Sequence, residues 1–290
     1  MQAIKLSQLL ALNRVVNLKL HKLYLLLQSY ILDDLFYKNS FSKLAINYLF
    51  GGCNTAIDWP GIARDINGLA KEGVGFISYF SSKYPKRLRE IYNPPLLLFT
   101  LGNQELLNKD SIAIVGSRNP GDNAKKYAYE FAYKLVGEGL VVISGLALGV
   151  DSRAHLGAIN KGKNSTIAVL PCGIDSVYPK KHSLLAKQIL EEGGLLVTEY
   201  PCRQEIYKSN FPRRNRIITG LSKGVLVIEA AHNSGTMHSA KAAIEQNRSV
   251  YVLPFGLDNL NNLAGNQLIR DGALLVDSIT NILDDFYIYE

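Results

Sequence analysis

The chain has 290 residues and a hydrophobic content of 47%, which is enough for a packed core and excludes disorder as its general state. Its 32 Lys and Arg residues against 25 Asp and Glu residues give a formal net charge of +7. That balance favours a polyanionic partner or an acidic surface, although a basic enzyme would show it too.

Residues 1–72 are predicted to form a small, all-helical domain. They are rich in Leu, Ile and Tyr and lack strand-like alternation. The last predicted helix of this region runs from Gly61 to Glu72, with Ile62, Ile66 and Leu69 on one face.

The same region carries no targeting or membrane-spanning signal. Its first residues lack the basic start, apolar centre and small-residue cleavage site of a signal peptide. The apolar stretch from Leu23 to Leu32 is interrupted by Gln28 and Ser29 and is shorter than the roughly 20 residues that span a bilayer. We therefore expect a cytoplasmic protein that is neither exported nor inserted into a membrane.

From Val74 onward, short apolar runs alternate with helical patterns. Such alternation is typical of βαβ units, because strands that are buried on both faces read as continuous hydrophobic runs. Residues 73–290 are therefore predicted to form an α/β domain with a mostly parallel, doubly wound sheet. The predicted strands are GFIS from Gly75, LLLFT from Leu96, IAIV from Ile112, VVIS from Val141, TIAVL from Thr166, LLVT from Leu195, VLVI from Val225 and VYVL from Val250.

Two of the intervening helices have a clear apolar stripe that would lie on the sheet. The first is predicted from Asp122 to Glu138 and the second from about Thr236 to Asn247. The stripes consist of Ala128, Phe131, Ala132, Leu135 and Val136 in the first helix, and of Met237, Ala240 and Ile244 in the second.

Glycine-rich loops follow three of the strands, at residues 116–121, 145–151 and 229–236. Ligands of open parallel sheets bind at the carboxyl ends of strands, where glycines let the backbone approach an anion. Asp122 and Asn123 stand where a P-loop needs Lys and Ser/Thr, and no GxGxxG is present, so ATP hydrolysis and dinucleotide binding are not predicted. For any single loop, a tight turn remains a sufficient explanation of its glycines.

The segment from Arg203 to Lys223 carries a sharper signal. Arginine forks suit phosphate oxygens, and Phe211 offers a flat face for an unpaired base, so the segment predicts a groove for a single strand. The alternative is a helix with a solvated basic face and a core phenylalanine. The segment has one acid, Glu205, against the basic residues Arg203, Lys208, Arg213, Arg214, Arg216 and Lys223.

Helical spacing separates the arginines of this segment. Arg213 and Arg216 should point one way and Arg214 another, and one of the three could pair with a loop carboxylate such as Asp151 or Glu229. These two carboxylates could also act as a general acid and base, but strand-end carboxylates cap helices and pair with arginines, and we favour that structural role.

The remaining candidates are weaker. The cysteines are too dispersed for a disulfide framework or a zinc site, which fits a reducing compartment; they are Cys53, Cys172 and Cys202. No metal-ligand spacing or nucleophile–base arrangement links the histidines His155, His182, His232 and His238. Phosphate contact and a solvated surface are equally compatible with the lysines Lys180, Lys181 and Lys241.

Several motifs between about residues 74 and 280 form a specific combination, notably a GSR turn, SGLAxGxD, FPRRNRII and EA…SGT. In this combination and order the chain resembles the DNA-processing protein A family, also called DprA/Smf. The matching stretches are YPKRLREIYNPPLLLFTLGN from Tyr84, IAIVGSRNPG from Ile112, VVISGLALGVDSRAHLGAI from Val141, TIAVLPCGIDSVYPKKH from Thr166, GGLLVTEYP from Gly193, FPRRNRIITGLSKGVLVIEAAHNSGTMHSAKAA from Phe211 and GNQLIRDGALLV from Gly265.

This resemblance implies an extended Rossmann-like domain that forms a homodimer, binds and protects single-stranded DNA, and loads the RecA recombinase during natural transformation of competent cells. It implies no catalysis, cofactor or metal. Many relatives end in a winged-helix domain, which we do not expect here because the sequence stops at Glu290. The DNA-binding residues that the resemblance and the charge pattern indicate are Gly116, Ser117, Arg118, Lys208, Phe211, Arg213, Arg214, Asn215, Arg216 and Lys241.

A Rossmann-like enzyme such as a nucleotide phosphoribohydrolase is the alternative function. It would use the same glycine-rich strand ends for a nucleotide phosphate and Glu229 as an acid or base. A closed, carboxylate-containing pocket would favour the enzyme, whereas an open basic groove several nucleotides long would favour single-strand binding.

Overall fold

The computed structural model describes residues 5–15, 20–50, 56–231, 234–256 and 259–288, so Cys53 and His232 lie outside the described residues. Its helices are α1 (Leu6–Asn13), α2 (Leu20–Leu26), α3 (Lys43–Leu49), α4 (Trp59–Lys71), α5 (Lys86–Arg89), α6 (Asp122–Gly137), α7 (Val150–Lys161), α8 (Ser183–Glu191), α9 (Asn210–Leu221), α10 (Gly235–Glu245), α11 (Leu263–Arg270) and α12 (Ile279–Ile288). Its strands are β1 (Phe36–Tyr37), β2 (Ser40–Phe41), β3 (Gly75–Ser78), β4 (Leu97–Gly102), β5 (Ser111–Gly116), β6 (Val141–Ser144), β7 (Thr166–Val169), β8 (Leu195–Thr198), β9 (Gly224–Ile228), β10 (Ser249–Val252) and β11 (Leu274–Leu275).

The large sheet has the strand order β11-β10-β9-β5-β6-β7-β8-β4-β3. All neighbouring strands are parallel except at one edge, where β4 pairs antiparallel with both β8 and β3. Each predicted strand is present, and the prediction of an α/β fold with a mostly parallel sheet is confirmed. Strand β11 was not predicted.

The sheet is covered on both faces, as a doubly wound fold requires. Alternate side chains of β5 point to opposite faces: Ile112 and Ile114 pack with α6 and α7, whereas Ala113 and Val115 pack with α9 and α10. Every residue of β5 up to Val115 is buried, which explains why the strand reads as one apolar run.

The N-terminal segment packs against the antiparallel edge of the sheet. Leucines of α1 share a hydrophobic core with Leu97 and Phe99 of β4 and with Ile189 of α8. Helix α4 begins where Asp58 accepts a hydrogen bond from the Gly61 N–H at 2.9 Å. The segment also contains a short antiparallel hairpin, β1–β2, which the apolar pattern did not predict. The boundary between residues 72 and 73 remains a prediction.

Four residues of the apolar stripe of α6 are buried as expected and the fifth, Val136, is partly buried, but the stripe predicted for α10 is rotated. Ala240 is buried, whereas Ile244 is exposed, so placing Ile244 on the sheet-facing side was wrong. The buried face of α10 is formed by Thr236, Ser239, Ala240 and Ala243. Small and hydroxyl side chains let this helix lie close to α9, and they carry little signal in a hydrophobicity pattern.

No helix among the described residues is long and apolar enough to cross a membrane.

Candidate nucleic-acid interface

An open groove lies where the strand order reverses. The chain runs from β5 through β6 and β7 to β8 in one direction, and then returns to place β9 on the other side of β5. Loops that leave β5 and β9 therefore separate at their carboxyl ends, and in open α/β sheets this crevice is where ligands bind.

The groove has a volume of about 680 Å³ and combines residues from five parts of the chain. The loop after β5 contributes one wall, residues 208–218 contribute a second, and the start of α10 contributes a third. Ala147 and Tyr178 complete the lining from the loops after β6 and β7. We call this site the groove; its polar, charged and aromatic lining residues are Ser117, Arg118, Asn119, Asp151, Tyr178, Lys208, Phe211, Arg214, Asn215, Ser234, Thr236, His238 and Ser239.

The loop after β5 is held in place by its neighbours. The Ser117 N–H donates to the carbonyl oxygen of Glu229 at 2.9 Å, and the Ser117 carbonyl accepts from the Val150 N–H at 3.1 Å. Gly149 has a φ of +80°, and a side chain there would collide with the Ser117 carbonyl, so this contact requires glycine. The Arg118 side chain thus projects from a braced loop.

The carboxylates at the strand ends act as braces. Glu229 is fully buried, and its carboxylate accepts hydrogen bonds from the Gly121 N–H at 3.2 Å and from Asn259 Nδ2 at 3.3 Å. Asp151 accepts from the Gly145 N–H at 3.1 Å and the Ala147 N–H at 3.3 Å. These contacts agree with the structural role that the sequence favoured.

Arg214 lies beneath the groove with only 4% of its surface exposed. Its Nη1 donates to the Val169 carbonyl at 2.7 Å, and its guanidinium occupies the space that a side chain on Gly145 would fill. Burial lowers the pKa of Arg214 to about 10, and the nearby Asp151 opposes this shift. Arg214 therefore stays protonated at neutral pH and supplies a buried positive charge. Burial also raises the pKa of Asp151, against the effect of Arg214.

An aromatic cluster forms the outer wall. The Phe211 ring is 5.5 Å from the Tyr178 ring in an edge-to-face arrangement, and the Arg118 guanidinium lies 5.2 Å from the Phe211 centroid. Phe211 is partly exposed, whereas Arg118 and Lys208 are exposed. This arrangement places a stacking surface beside two cationic side chains.

The structure brings most of the predicted site residues together. Those that line the groove are Gly116, Ser117, Arg118, Lys208, Phe211, Arg214 and Asn215. Three others lie elsewhere. Arg216 donates to the Asn93 carbonyl at 2.6 Å and pairs with Glu199, Arg213 is 3.6 Å from the same carboxylate, and Lys241 pairs with Glu245 on the exposed face of α10.

Helical geometry accounts for this division. Arg213 and Arg216 share one face of α9 and meet Glu199, whereas Arg214 points into the sheet, as the spacing predicted. The loop carboxylate beside Arg214 is Asp151. Glu199 was not predicted as a partner because it follows β8, and the loop after β8 was not among the three glycine-rich loops.

Sequence reasoning named no DNA-binding residue in two parts of the groove, although it had predicted the loop at residues 229–236 as a candidate anion site. Tyr178 precedes Lys180 and Lys181, so the same interleaving of aromatic and basic residues could have identified it. The start of α10 contributes Ser234, whose side chain makes no capping hydrogen bond, and Thr236. The first turn of a helix presents free N–H groups and a positive dipole end to an anion.

Comparisons with known proteins agree with this architecture. The family model for DNA recombination-mediator protein A matches residues 75–287. Protein Smf of Escherichia coli is 40% identical over 205 residues, which cover 71% of this chain and 54% of that protein. DNA processing protein DprA of Streptococcus pneumoniae is 39% identical over 221 residues, which cover 75% of this chain and 77% of that protein. The chain thus matches only about half the length of the E. coli relative.

Solved structures show the same fold. The X-ray structure of DNA processing protein A from Streptococcus pneumoniae covers 98% of both chains with a TM-score of 0.80 and 31% identity. DNA processing protein A from Helicobacter pylori, described for its single-stranded DNA binding mode, covers 74% of this chain and 95% of its own, with a TM-score of 0.66 and 30% identity. The fold is therefore Rossmann-like, and the chain belongs to the DNA recombination-mediator protein A family.

Proposed function

We propose that this protein binds single-stranded DNA in the groove and acts in DNA processing without a catalytic step. The observation that carries the proposal is the convergence of Arg118, Lys208 and buried Arg214 on the aromatic pair Phe211 and Tyr178. Phosphates would contact the cationic side chains and the free N–H groups at the start of α10, while a base would stack against the aromatic wall.

The shape and charge of the groove favour a strand over a nucleotide-hydrolysing site. The two carboxylates that could serve as acid and base are occupied: Glu229 by Gly121 and Asn259, and Asp151 by backbone N–H groups beside Arg214. The aromatic wall of the groove is exposed at Tyr178, as a base-stacking surface requires. An unpaired base could therefore reach the Tyr178 ring from solvent.

Equilibrium binding separates these functions. We expect the protein to bind a labelled oligo-dT more tightly than a duplex of equal length, and free nucleotides to compete weakly. Arg118→Ala and Lys208→Ala should each weaken binding several-fold, because each removes a phosphate contact. Lys241→Ala is the matched control, because that lysine lies on the exposed face of α10 and pairs with Glu245. Tight binding of a free nucleotide with no affinity for oligo-dT would contradict the proposal.

We further propose that the bound strand is protected and passed to the RecA recombinase during natural transformation, and that the protein acts as a homodimer. Exposed leucines on the β11 side of the sheet support the dimer, because an edge strand with apolar side chains is a ready pairing surface; they are Leu260, Leu263, Leu274 and Leu275. Sedimentation equilibrium of the wild-type protein and of Leu275→Lys should show a dimer and a monomer, respectively.

RecA filament formation on strands coated by a single-strand binding protein should accelerate when this protein is added, and no acceleration would contradict the loading role.

A further inference from the structure

A second cavity, of about 620 Å³, lies between the N-terminal helices and the loop after β8. We call it the interface cavity. It is formed by the end of α1 and the start of α4 on one side, and by residues 199–204 and the segment leading into α9 on the other. Four arginines line it: Arg14, Arg64, Arg203 and Arg213.

Two of these arginines are already neutralised. Arg14 donates to Asp58 at 2.9 Å and to Asp65 at 2.7 Å, and these bonds join α1 to α4. Arg213 lies 3.6 Å from Glu199, although its own side chain is mostly exposed. Each acidic residue of the lining, Asp58, Asp65 and Glu199, therefore forms an ion pair with one of these arginines, and Glu199 also pairs with Arg216, which lies outside the cavity.

The other two arginines of the lining have no close acidic partner among the described residues. Within the described part of the chain, the side chains of Arg64 and Arg203 make no ion pair or hydrogen bond, and both residues are exposed. The backbone of Arg203 has a φ of +63°, in the left-handed region where glycine is the least strained residue. It is fixed there because its N–H donates to the Asp175 carboxylate at 2.9 Å. An arginine at this position places a positive charge at the rim at the expense of backbone strain.

The wall of the interface cavity also holds buried polar atoms without partners. Glu199 and Tyr200 both line it and are only 6% and 9% exposed. Among the described residues, neither Glu199 Oε1 nor the Tyr200 hydroxyl has a hydrogen-bond partner. Buried polar atoms are usually satisfied, so a ligand that carries N–H donors would satisfy both atoms if its binding shifts the cavity wall enough to reach them. A phosphate group would bind the arginines, and the amino group of a base would donate to the carboxylate. A nucleotide carries both groups.

The interface cavity and the groove share a wall. Along the segment that enters α9, Lys208 and Phe211 line the groove, whereas Tyr207, Ser209 and Arg213 line the interface cavity. The separation is therefore about one helix diameter, roughly 10 Å. The Tyr207 ring, which lines the interface cavity, is exposed.

We propose that the interface cavity is a second contact site for the same strand, which leaves the groove across the start of α9 and places its next nucleotides against Arg64, Arg203 and Glu199. This inference rests on the proposed single-strand binding in the groove. It makes the N-terminal segment part of the DNA-binding surface and predicts a longer binding site than the groove alone provides.

The test compares two lengths of oligo-dC on the full chain: about four nucleotides, enough for the groove, and about sixteen, enough for both sites. The Arg64→Ala/Arg203→Gly variant should bind the long probe about tenfold more weakly, and its log affinity should depend less on log salt by roughly 0.7 per lost phosphate contact. Its affinity for the short probe should match that of the wild type. Glycine at position 203 suits the left-handed backbone, so this change leaves the fold intact.

Controls separate this inference from the proposed function. Arg270→Ala removes an exposed arginine of α11, which packs beside β10 at the other end of the sheet, and should change neither affinity. Lys208→Ala should weaken both probes. Unchanged long-probe binding by Arg64→Ala/Arg203→Gly would overturn the second site. Wild-type binding of both probes by Lys208→Ala, with loss of the long probe in Arg64→Ala/Arg203→Gly, would overturn the groove and leave the interface cavity as the binding site.

Discussion

Replacement of Arg214 by leucine tests the buried charge beneath the groove. The substitution keeps an apolar side chain in the space facing Gly145 but removes the guanidinium that bonds to the Val169 carbonyl at 2.7 Å. The Asp151 carboxylate then loses the positive charge that opposes its burial. Removing the charged donor from the buried Val169 carbonyl costs about 1.5 to 3 kcal/mol. Asp151 keeps two backbone N–H donors but loses a compensating positive charge, so we expect the upper end of that range.

The loss should be visible in both denaturant and thermal unfolding. A decrease of about 3 kcal/mol in the free energy of unfolding corresponds to a fall in Tm of roughly 6 to 12 °C for a domain of this size. Arg213→Ala is the matched control on the opposite face of α9, where an exposed ion pair at 3.6 Å contributes at most about 1 kcal/mol. In a double-mutant cycle, the variant that combines Arg214→Leu with Asp151→Asn should be more stable than the sum of the two single effects predicts.

The effect of Arg214→Leu should also depend on pH. Burial raises the pKa of Asp151 above its ordinary value of 3.8, so its ionisation destabilises the fold as pH rises through the folded-state pKa. Removal of Arg214 raises that pKa further. The stability difference between wild type and Arg214→Leu should therefore be largest near neutral pH and should narrow as the pH falls toward the acid range. A difference below about 1 kcal/mol at neutral pH would refute the reasoning that Arg214 stabilises the fold through its bond to Val169 and its charge near Asp151.

Three further changes test the groove. Phe211→Ala should reduce oligo-dT affinity by about 1 to 3 kcal/mol, measured by fluorescence anisotropy, because a stacking face is lost; wild-type affinity would show that no base stacks there. Tyr178→Ala should weaken binding in the same assay by a smaller factor, since it removes the edge contact that orients Phe211 at 5.5 Å, and an effect larger than that of Phe211→Ala would contradict this order. Gly145→Ala should lower the Tm and the DNA affinity together, because its methyl group would displace the Arg214 guanidinium, and an unchanged Tm would contradict that packing.

The sheet could be predicted from the sequence because its strands are buried on both faces and read as apolar runs. Strand β11 could not, since it has only two residues and both are exposed. Ile244 was misplaced because α10 buries small and hydroxyl side chains, to which hydrophobicity patterns are insensitive. The β1–β2 hairpin was missed because two-residue strands are too short to show alternation.

The site was predicted where the chemistry is local in sequence. Arg118, Lys208 and Phe211 lie in loops or at a helix start with basic or glycine-rich neighbours, and the structure brings them into one groove. The division of the FPRRNR arginines followed from helical spacing, and Asp151 was anticipated as a carboxylate near one of them, but Glu199 was not. Glu199 belongs to the loop after β8, and only the folded sheet brings it to Arg216. The interface cavity depends on packing between the N-terminal segment and that loop, which no local pattern encodes.

Photo-cross-linking of the full chain to a single strand tests the central claim most directly. After ultraviolet irradiation of the complex with oligo-dT and digestion with trypsin, mass spectrometry identifies the peptides that carry a nucleotide. Residues 209–213, which contain Phe211, and residues 164–180, which contain Tyr178, should carry the adduct. Adducts confined to peptides outside the groove and the interface cavity would contradict single-strand binding at the switch point of the sheet.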